Sequence, residues 1–457
     1  MAYIFYFLGI IISLAAGFLF IRLLTGGRLN IILHLLLALA LGLGLVGTVT
    51  FYTHILFNQS YHWFPVGIVI LGIVVLILNI YRYPSLRGAK RRGNLNKIGC
   101  SFRDCFALRT RNDVKSKNVL GLLTLFILAL PLTIGALHYP LGGWDAWSCW
   151  NLKAKFIFLG QDHWKDVLSP GLWRSNTHYP LLWPLVNVWF WDLSGRFDQI
   201  VPMLNSIVIA LLTAGILLFG LLELTGLLWV SIAAAILVTA LPFGVTLLIS
   251  QYSDSLLGLY LLAAFTCFLL AEKYNLPKLK MLSVIFLGLM SFTKNEGLMA
   301  SGIAALLIFW HERSHKKDLK SLILAYFIAL LPTIIFTLGF APKNEAFING
   351  LTSADKHTNW ARISILMVYP WFEFISGKWN GFWFLVLGGI ILAGKRLWQS
   401  TLGVMGFALI LYLGVVMAYY AVNTFFEIGW WLSTTLSRIL FALVPTIVLW
   451  IALGLAE

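Results

Sequence analysis

The segment Gly142-Gly143-Trp144-Asp145-Ala146-Trp147-Ser148-Cys149-Trp150-Asn151-Leu152-Lys153 sets one carboxylate among three tryptophans, just after a long apolar run ends. Paired glycines free the backbone to turn. Indole faces are good platforms for sugar rings, and Asp145 beside Trp144 and Trp147 could hydrogen-bond or deprotonate a hydroxyl. The same residues also describe an interfacial aromatic belt with one solvated Asp, and both readings stay open.

Four more segments carry chemistry-bearing side chains. In Gln251-Tyr252-Ser253-Asp254-Ser255, Asp254 stands at a helix start. There it is either a cap favoured by the macrodipole or a second functional carboxylate. Thr293-Lys294-Asn295-Glu296-Gly297 puts Lys294 and Glu296 between two short apolar runs. Such charges are costly unless they line a polar cavity or form a solvated turn. Trp430 to Arg438 enters the last apolar run, where Arg438 can snorkel as an anchor or hold a phosphate bidentately. In His178-Tyr179-Pro180-Leu181-Leu182, Pro180 suits a first helical turn, and His178 is either structural or faces a cavity. No Walker motif, dinucleotide fingerprint or zinc-protease motif is present, which removes support for ATP-driven transport and redox chemistry.

These segments must be positioned by membrane helices. The 457-residue chain is 60% hydrophobic and 11% charged, with a mean hydropathy of +0.87; soluble domains carry about 25% charged residues. Runs such as Ile68 to Ile80 and Ile207 to Leu222 hold no charge. Backbone groups in lipid must be paired internally, so the runs are helices; a barrel would show alternation instead. The net charge of +15 sits in short segments between apolar runs, which fits the positive-inside rule and not nucleic-acid binding. The first run is too long for a cleavable signal and reads as a membrane helix.

Basic segments at 82–117, 273–280, 313–320 and 395–396 are expected on the cytoplasmic side, and an even number of crossings must separate them. This parity predicts helices at 3–24, 31–51, 64–81, 119–137, 200–222, 227–248, 255–272, two within 281–310, then 321–340, 380–394, 401–421 and 438–455. The fold class is thus all-α and polytopic, with about 13 crossings. Residues 1–81 form three N-terminal helices, 82–118 a basic cytoplasmic loop, and 119–457 the core, with outer loops 138–199 and 341–378. The Trp- and Leu-rich stretch 181–193 is expected to lie at the outer surface as a juxtamembrane helix. Asp145 and Asp254 then share one membrane face, and Cys149 lies outside, away from Cys100 and Cys105.

The order and spacing of Trp144-Asp145, His178-Tyr179-Pro180-Leu181, Ser253-Asp254, Thr293 to Gly297 and Trp431 to Arg438 resemble the GT-C superfamily of polytopic glycosyltransferases, the protein O-mannosyltransferase and lipid A aminoarabinose transferase type. The likeness runs from about residue 119 to the end. Two departures from the simplest family plan are the three preceding helices and the short 341–378 segment, which has no appended domain. The resemblance implies a polyprenyl-phosphate-linked sugar donor and a lipid, glycan or protein acceptor, at an outward-facing site in the cytoplasmic or plasma membrane. It implies transfer with inversion, and it leaves a divalent metal open because members differ in using one. Asp145 is then the candidate base, and Arg438, Lys294 and Lys153 the candidates to meet the departing phosphate. A secondary transporter or lipid flippase, or a membrane glycan polymerase or ligase, are the alternatives; the lack of an inverted repeat and the one-sided outer loops weigh against transport.

Overall fold

The computed structural model describes all residues except 1, 26–28, 58–61, 83–101, 315, 353–359 and 457, and no side chains at 2, 80–82, 102–113, 316–317 and 360–361. Cys100, most of the basic loop and the Cys105 side chain therefore lie outside the described residues. Among those described there is no strand. In chain order the helices are α1 (Ala2–Thr25), α2 (Ile31–Phe57), α3 (Phe64–Arg82), α4 (Phe102–His138), α5 (Asn151–Gly160) and α6 (Leu182–Ser194). Next come α7 (Ile200–Thr225), α8 (Leu228–Ala240), α9 (Pro242–Ile249), α10 (Ser253–Tyr274), α11 (Pro277–Ser291) and α12 (Asn295–His311). The last six are α13 (Lys316–Gly339), α14 (Glu345–Thr352), α15 (Trp360–Ile375), α16 (Phe382–Ala393), α17 (Ser400–Val422) and α18 (Ile428–Ala456).

Among the described residues, eight helices are long and apolar enough to cross a membrane, nine if the bent pair α8 and α9 forms one span. The chain is an all-α polytopic membrane protein. The other crossings expected from the sequence correspond to α3, whose apolar part runs Phe64–Asn79, and to the shorter α11, α12 and α16.

Several boundaries differ from the sequence reading, and three differences are large. Helix α4 begins at Phe102 rather than 119, because no Pro or Gly interrupts 102–118 and a charged stretch outside the bilayer can stay helical. The run 227–248 is bent by 74° at Leu241. Pro242 removes a backbone donor and holds Leu241 extended, at φ −61° and ψ 127°. Helix α18 starts at Ile428, so Arg438 lies well inside it rather than at its entrance.

Helix α10 is the centre of the bundle, buried along its length and packed on α7, α11, α17 and α18. One contact fixes its register against α18. A Cβ on Gly258 would stand 2.8 Å from the Ala442 carbonyl oxygen. Only glycine permits that approach, as in other small-residue helix crossings. Gly258 is one turn beyond Asp254, and Ala442 is one turn beyond Arg438, so the crossing draws those two side chains level.

The expected juxtamembrane helix exists as α6, but Leu182 to Leu193 are all buried beneath α1, α2 and α5. It is a core element, not a helix lying on the surface. Its far end carries Asp192, 1% exposed, whose Oδ1 is 2.9 Å from His62 Nδ1. Burial pushes the Asp192 carboxyl up to about 6, and the Asp192 hydrogen bond raises the His62 imidazole. Both groups bind protons more tightly in the folded state. The aspartate's contribution falls as pH rises from near its ordinary value of 3.8 through about 6. The histidine's falls as pH rises from 6.5 through its raised folded value. Thermal unfolding midpoints measured across this window should drop more steeply with rising pH in the parent protein than in Asp192→Asn.

At the end of the bundle where α10 finishes, Lys280 Nζ lies 2.5 Å from Glu272 and 2.7 Å from Glu312, tying two basic turns together. Glu272, His311 and Glu312 could by spacing hold an ion, but the ammonium already stands between the two carboxylates.

Candidate functional site

The loop that carries Asp145 is built against the segment between α9 and α10. Gly143 N–H donates to the Ser250 carbonyl at 3.0 Å, and Gln251 Nε2 donates to the Pro140 carbonyl at 2.9 Å. Asp145 N–H donates to the Tyr252 hydroxyl at 3.3 Å. A Cβ at Gly143 would lie 2.3 Å from that hydroxyl, so any side chain there would push the Tyr252 ring off the loop. Gly142 turns the chain with φ +72°. A π-helical turn, Ala146–Trp150, follows Asp145 and leads directly into α5. It buries Cys149 and Trp150 but leaves Trp147 exposed. Wide turns of this kind often mark functional sites.

Five of the charged side chains singled out in the sequence meet in one alternating line. Arg438 Nη1 donates to Asp145 Oδ2 at 2.6 Å, and Nη2 donates to Asp254 Oδ2 at 2.8 Å. Lys294 Nζ donates to Asp254 Oδ1 at 3.1 Å and lies 3.2 Å from Glu296 Oε1. The order is Asp145, Arg438, Asp254, Lys294, Glu296: three carboxylates against two cations, a net charge of −1. Tyr252 lies under the guanidinium, its centroid 4.5 Å from Cζ, and Tyr179 lies 5.7 Å from Lys294 Nζ.

Accessibility differs along the line. The Asp254 side chain is 3% exposed and that of Asp145 28%. Asp254 is therefore the buried keystone, with a cation on each oxygen, and the line opens at its two ends, Asp145 and Glu296, the latter 24% exposed. Two buried polar atoms in the line have no partner among the described residues, Arg438 Nε and Glu296 Oε2. Trp144 and Trp147, both exposed, flank Asp145 and pack edge to face with centroids 4.3 Å apart.

Lys153 and His178 do not join the line. The Lys153 side chain is fully buried; its ammonium donates to the Asn176 carbonyl at 2.6 Å and lies over the Trp150 and Tyr179 rings. Burial pushes it below the ordinary lysine value. That corrects its expected role as a cation facing a phosphate: it braces the loop from within. His178 packs edge-on against Tyr179 with centroids 4.8 Å apart. Burial, with Lys153 nearby, pushes its imidazole down to about 4, so it is neutral at physiological pH. Cys149 is buried, its Sγ donating to the Ser175 carbonyl at 2.8 Å, which closes it to labelling reagents.

Arg438 also takes a different place from the expected free phosphate fork, because both its Nη groups already serve carboxylates. A guanidinium between Asp145 and Asp254 supplies the positive charge there, so the pair does not fit a shared metal ion in this arrangement. A lysine ammonium is a point charge and cannot reproduce the planar fork. Arg438→Lys should therefore lose about 1.5–3 kcal/mol, the contribution of one charge-assisted hydrogen bond, read as a lower thermal unfolding midpoint. An interfacial anchor would tolerate the change, since both side chains snorkel. An unchanged midpoint would mean that the bridge carries no stability.

Nothing in the sequence marks Tyr252, Tyr179, Asn151 or Gln251 as members of the site. Gln251 and Tyr252 lie just before Ser253-Asp254, and Tyr179 follows His178, but an isolated tyrosine or amide has no spacing pattern to mark it. No family model, curated protein or solved structure matches the chain.

Proposed function

We propose that the protein is a membrane glycosyltransferase of GT-C type, moving a sugar from a polyprenyl-phosphate donor to an acceptor hydroxyl at the outer membrane face. The observation that carries this reading is the Asp145–Arg438–Asp254–Lys294–Glu296 line, with its one accessible aspartate beside an exposed tryptophan pair. The arrangement couples donor binding to base release. A phosphate arriving at Arg438, where Nε is unpaired, competes with Asp145 for the guanidinium. Asp254 stays fixed between two cations, and the Asp145 carboxylate swings free to face the acceptor.

In the proposed step the acceptor oxygen attacks the anomeric carbon while its proton passes to Asp145. The bond from the anomeric carbon to the phosphate oxygen breaks, and its electron pair leaves with the phosphate, which Arg438 and Lys294 stabilise. One displacement inverts the anomeric centre. The indoles of Trp144 and Trp147 offer faces for a sugar ring. An apolar cleft of about 490 Å³ between α8, α16 and α18, lined by Val230, Leu237, Leu385, Val448 and Ile451, suits a hydrocarbon tail. Val448 is ten residues along α18 from Arg438, about 15 Å at the helical rise.

Purified protein incubated with a panel of radiolabelled polyprenyl-phosphate sugars tests this reading. Label should pass from one donor into a new glycosidic bond. Label crossing into vesicles with no new bond would favour transport, and no turnover of any donor would contradict the proposal.

A further inference from the structure

A second polar line runs through the bundle and ends at the same loop. Tyr6 Oη of α1 donates to Asn205 Oδ1 of α7 at 3.0 Å. Asn205 Nδ2 donates to Asn187 Oδ1 of α6 at 2.8 Å, and Asn187 Nδ2 to Asn151 Oδ1 of α5 at 3.5 Å. Asn151 Nδ2 donates to Gln251 Oε1 at 2.6 Å, and Gln251 Nε2 to the Pro140 carbonyl at 2.9 Å. Trp183 Nε1 donates to the same Asn151 Oδ1 at 3.4 Å, so two donors share that oxygen. Tyr6, Asn205, Asn187 and Gln251 are all buried.

Every bond in this line points the same way. Head-to-tail amides polarise one another, so each link strengthens the next. The line draws on four helices, the N-terminal α1 and the consecutive α5, α6 and α7, and ends on backbone. Its last member has an unusual conformation: Gln251 holds φ +60°, a left-handed value that non-glycine residues rarely adopt. Both the oxygen and the nitrogen of its side-chain amide are hydrogen-bonded, which helps to hold that turn. The neighbours of Gln251 are the two residues that hold the Asp145 loop, Ser250 through Gly143 and Tyr252 through the Asp145 N–H.

We infer that this amide line sets the register of the Asp145 loop against the start of α10, and that Tyr6, Asn205, Asn187, Asn151 and Gln251 are positioning residues for the charged line. Helix α1 thereby has a definite role, because it supplies the first donor and, with α2, covers the helix that carries Asn187. The inference rests on the transferase reading for its catalytic consequence, but its structural content does not depend on it.

Hydrogen–deuterium exchange on the full-length protein tests the inference without a substrate. In Asn187→Leu, amides of the peptide 141–147 should exchange about tenfold faster, while the core peptides of α10 and α11 keep their protection, since local opening is distinct from global unfolding. Tyr6→Phe should show a smaller change in the same peptide. Unchanged exchange at 141–147 in both variants would overturn the inference. The triple variant Tyr6→Phe/Asn205→Leu/Asn187→Leu removes both partners of each upstream bond and leaves Asn151 Oδ1 to Trp183, so little polar burial is left unpaired. A positioning role predicts that its thermal stability recovers towards the parent while the loop still exchanges fast. Recovery of both would reduce the line to packing and overturn the inference. Where a donor is turned over, these variants should lower kcat with little effect on donor KM. A parent protein that turns over no donor contradicts the transferase reading and leaves the exchange result standing.

Discussion

On the proposed transferase reading, Asp145→Asn is expected to lower sugar transfer by about 10²–10⁴-fold, the usual contribution of a positioned general base, while the protein still inserts and folds. Asparagine keeps the volume, and its amide oxygen can still accept from Arg438 Nη1, now 2.6 Å from the carboxylate. The amide cannot take the acceptor's proton at neutral pH. Because the Asp145 side chain is the more exposed of the two aspartates bound to Arg438, losing its charge costs the fold less than losing that of Asp254. Donor affinity should hold or rise, since Arg438 is then freer to meet phosphate. Initial rates at equal expression, with donor titration, decide the matter. A near-normal kcat would show that another group accepts the proton.

Asp254→Asn should produce the opposite profile, a large loss of stability. Its carboxylate is buried and holds Arg438 on one oxygen and Lys294 on the other. Neutralising it leaves two cations beside each other with only Asp145 and Glu296 in compensation. Breaking a buried ion pair on one side costs about 3–5 kcal/mol, enough to remove much of the stability of an ordinary domain. The measurement is the thermal unfolding midpoint in detergent, with Asp145→Asn as the comparison. A midpoint for Asp254→Asn equal to that of Asp145→Asn would show that Asp254 is no keystone. From the sequence alone Asp254 ranks as the milder site, because an acidic residue at a helix start has an ordinary capping explanation. The Asp254 side chain makes no cap bond in the structure: the residue before α10, Tyr252, is the one at the cap position, and Asp254 points at the cations instead.

The helix plan was legible because charge in a membrane protein is costly and is therefore confined to the turns. Parity between basic turns then placed even the short pair α11 and α12 around Lys294 to Glu296. The start of α4 was not legible, because hydropathy marks where a helix leaves lipid and not where it ends. The bend at Leu241 was signalled by Pro242 but was not needed to satisfy parity. The burial of α6 could not be read either: Trp183, Trp189 and Trp191 suit an interface as well as a core, and only the packing of α1, α2 and α5 decides.

The site was legible as a set of residues and not as a network. Asp145, Asp254, Lys294, Glu296 and Arg438 stood out because each is a charge beside an apolar run. Their pairing spans as many as 293 positions, and no local pattern encodes a contact at that range. Lys153 carries the sequence signature of a cavity cation but is a buried lysine satisfied by a carbonyl, and the two cases look alike in sequence. The amide line was invisible for a simpler reason: single asparagines in apolar helices follow no period.

The most direct test of the proposed chemistry is a single-turnover reaction with a polyprenyl-phosphate sugar labelled separately in sugar and phosphate. The transferase reading predicts that the sugar label enters the acceptor, that the phosphate label remains with the polyprenyl chain in equal amount, and that the new bond has the inverted anomeric configuration. Transfer of both labels together, or retention of configuration, would contradict it.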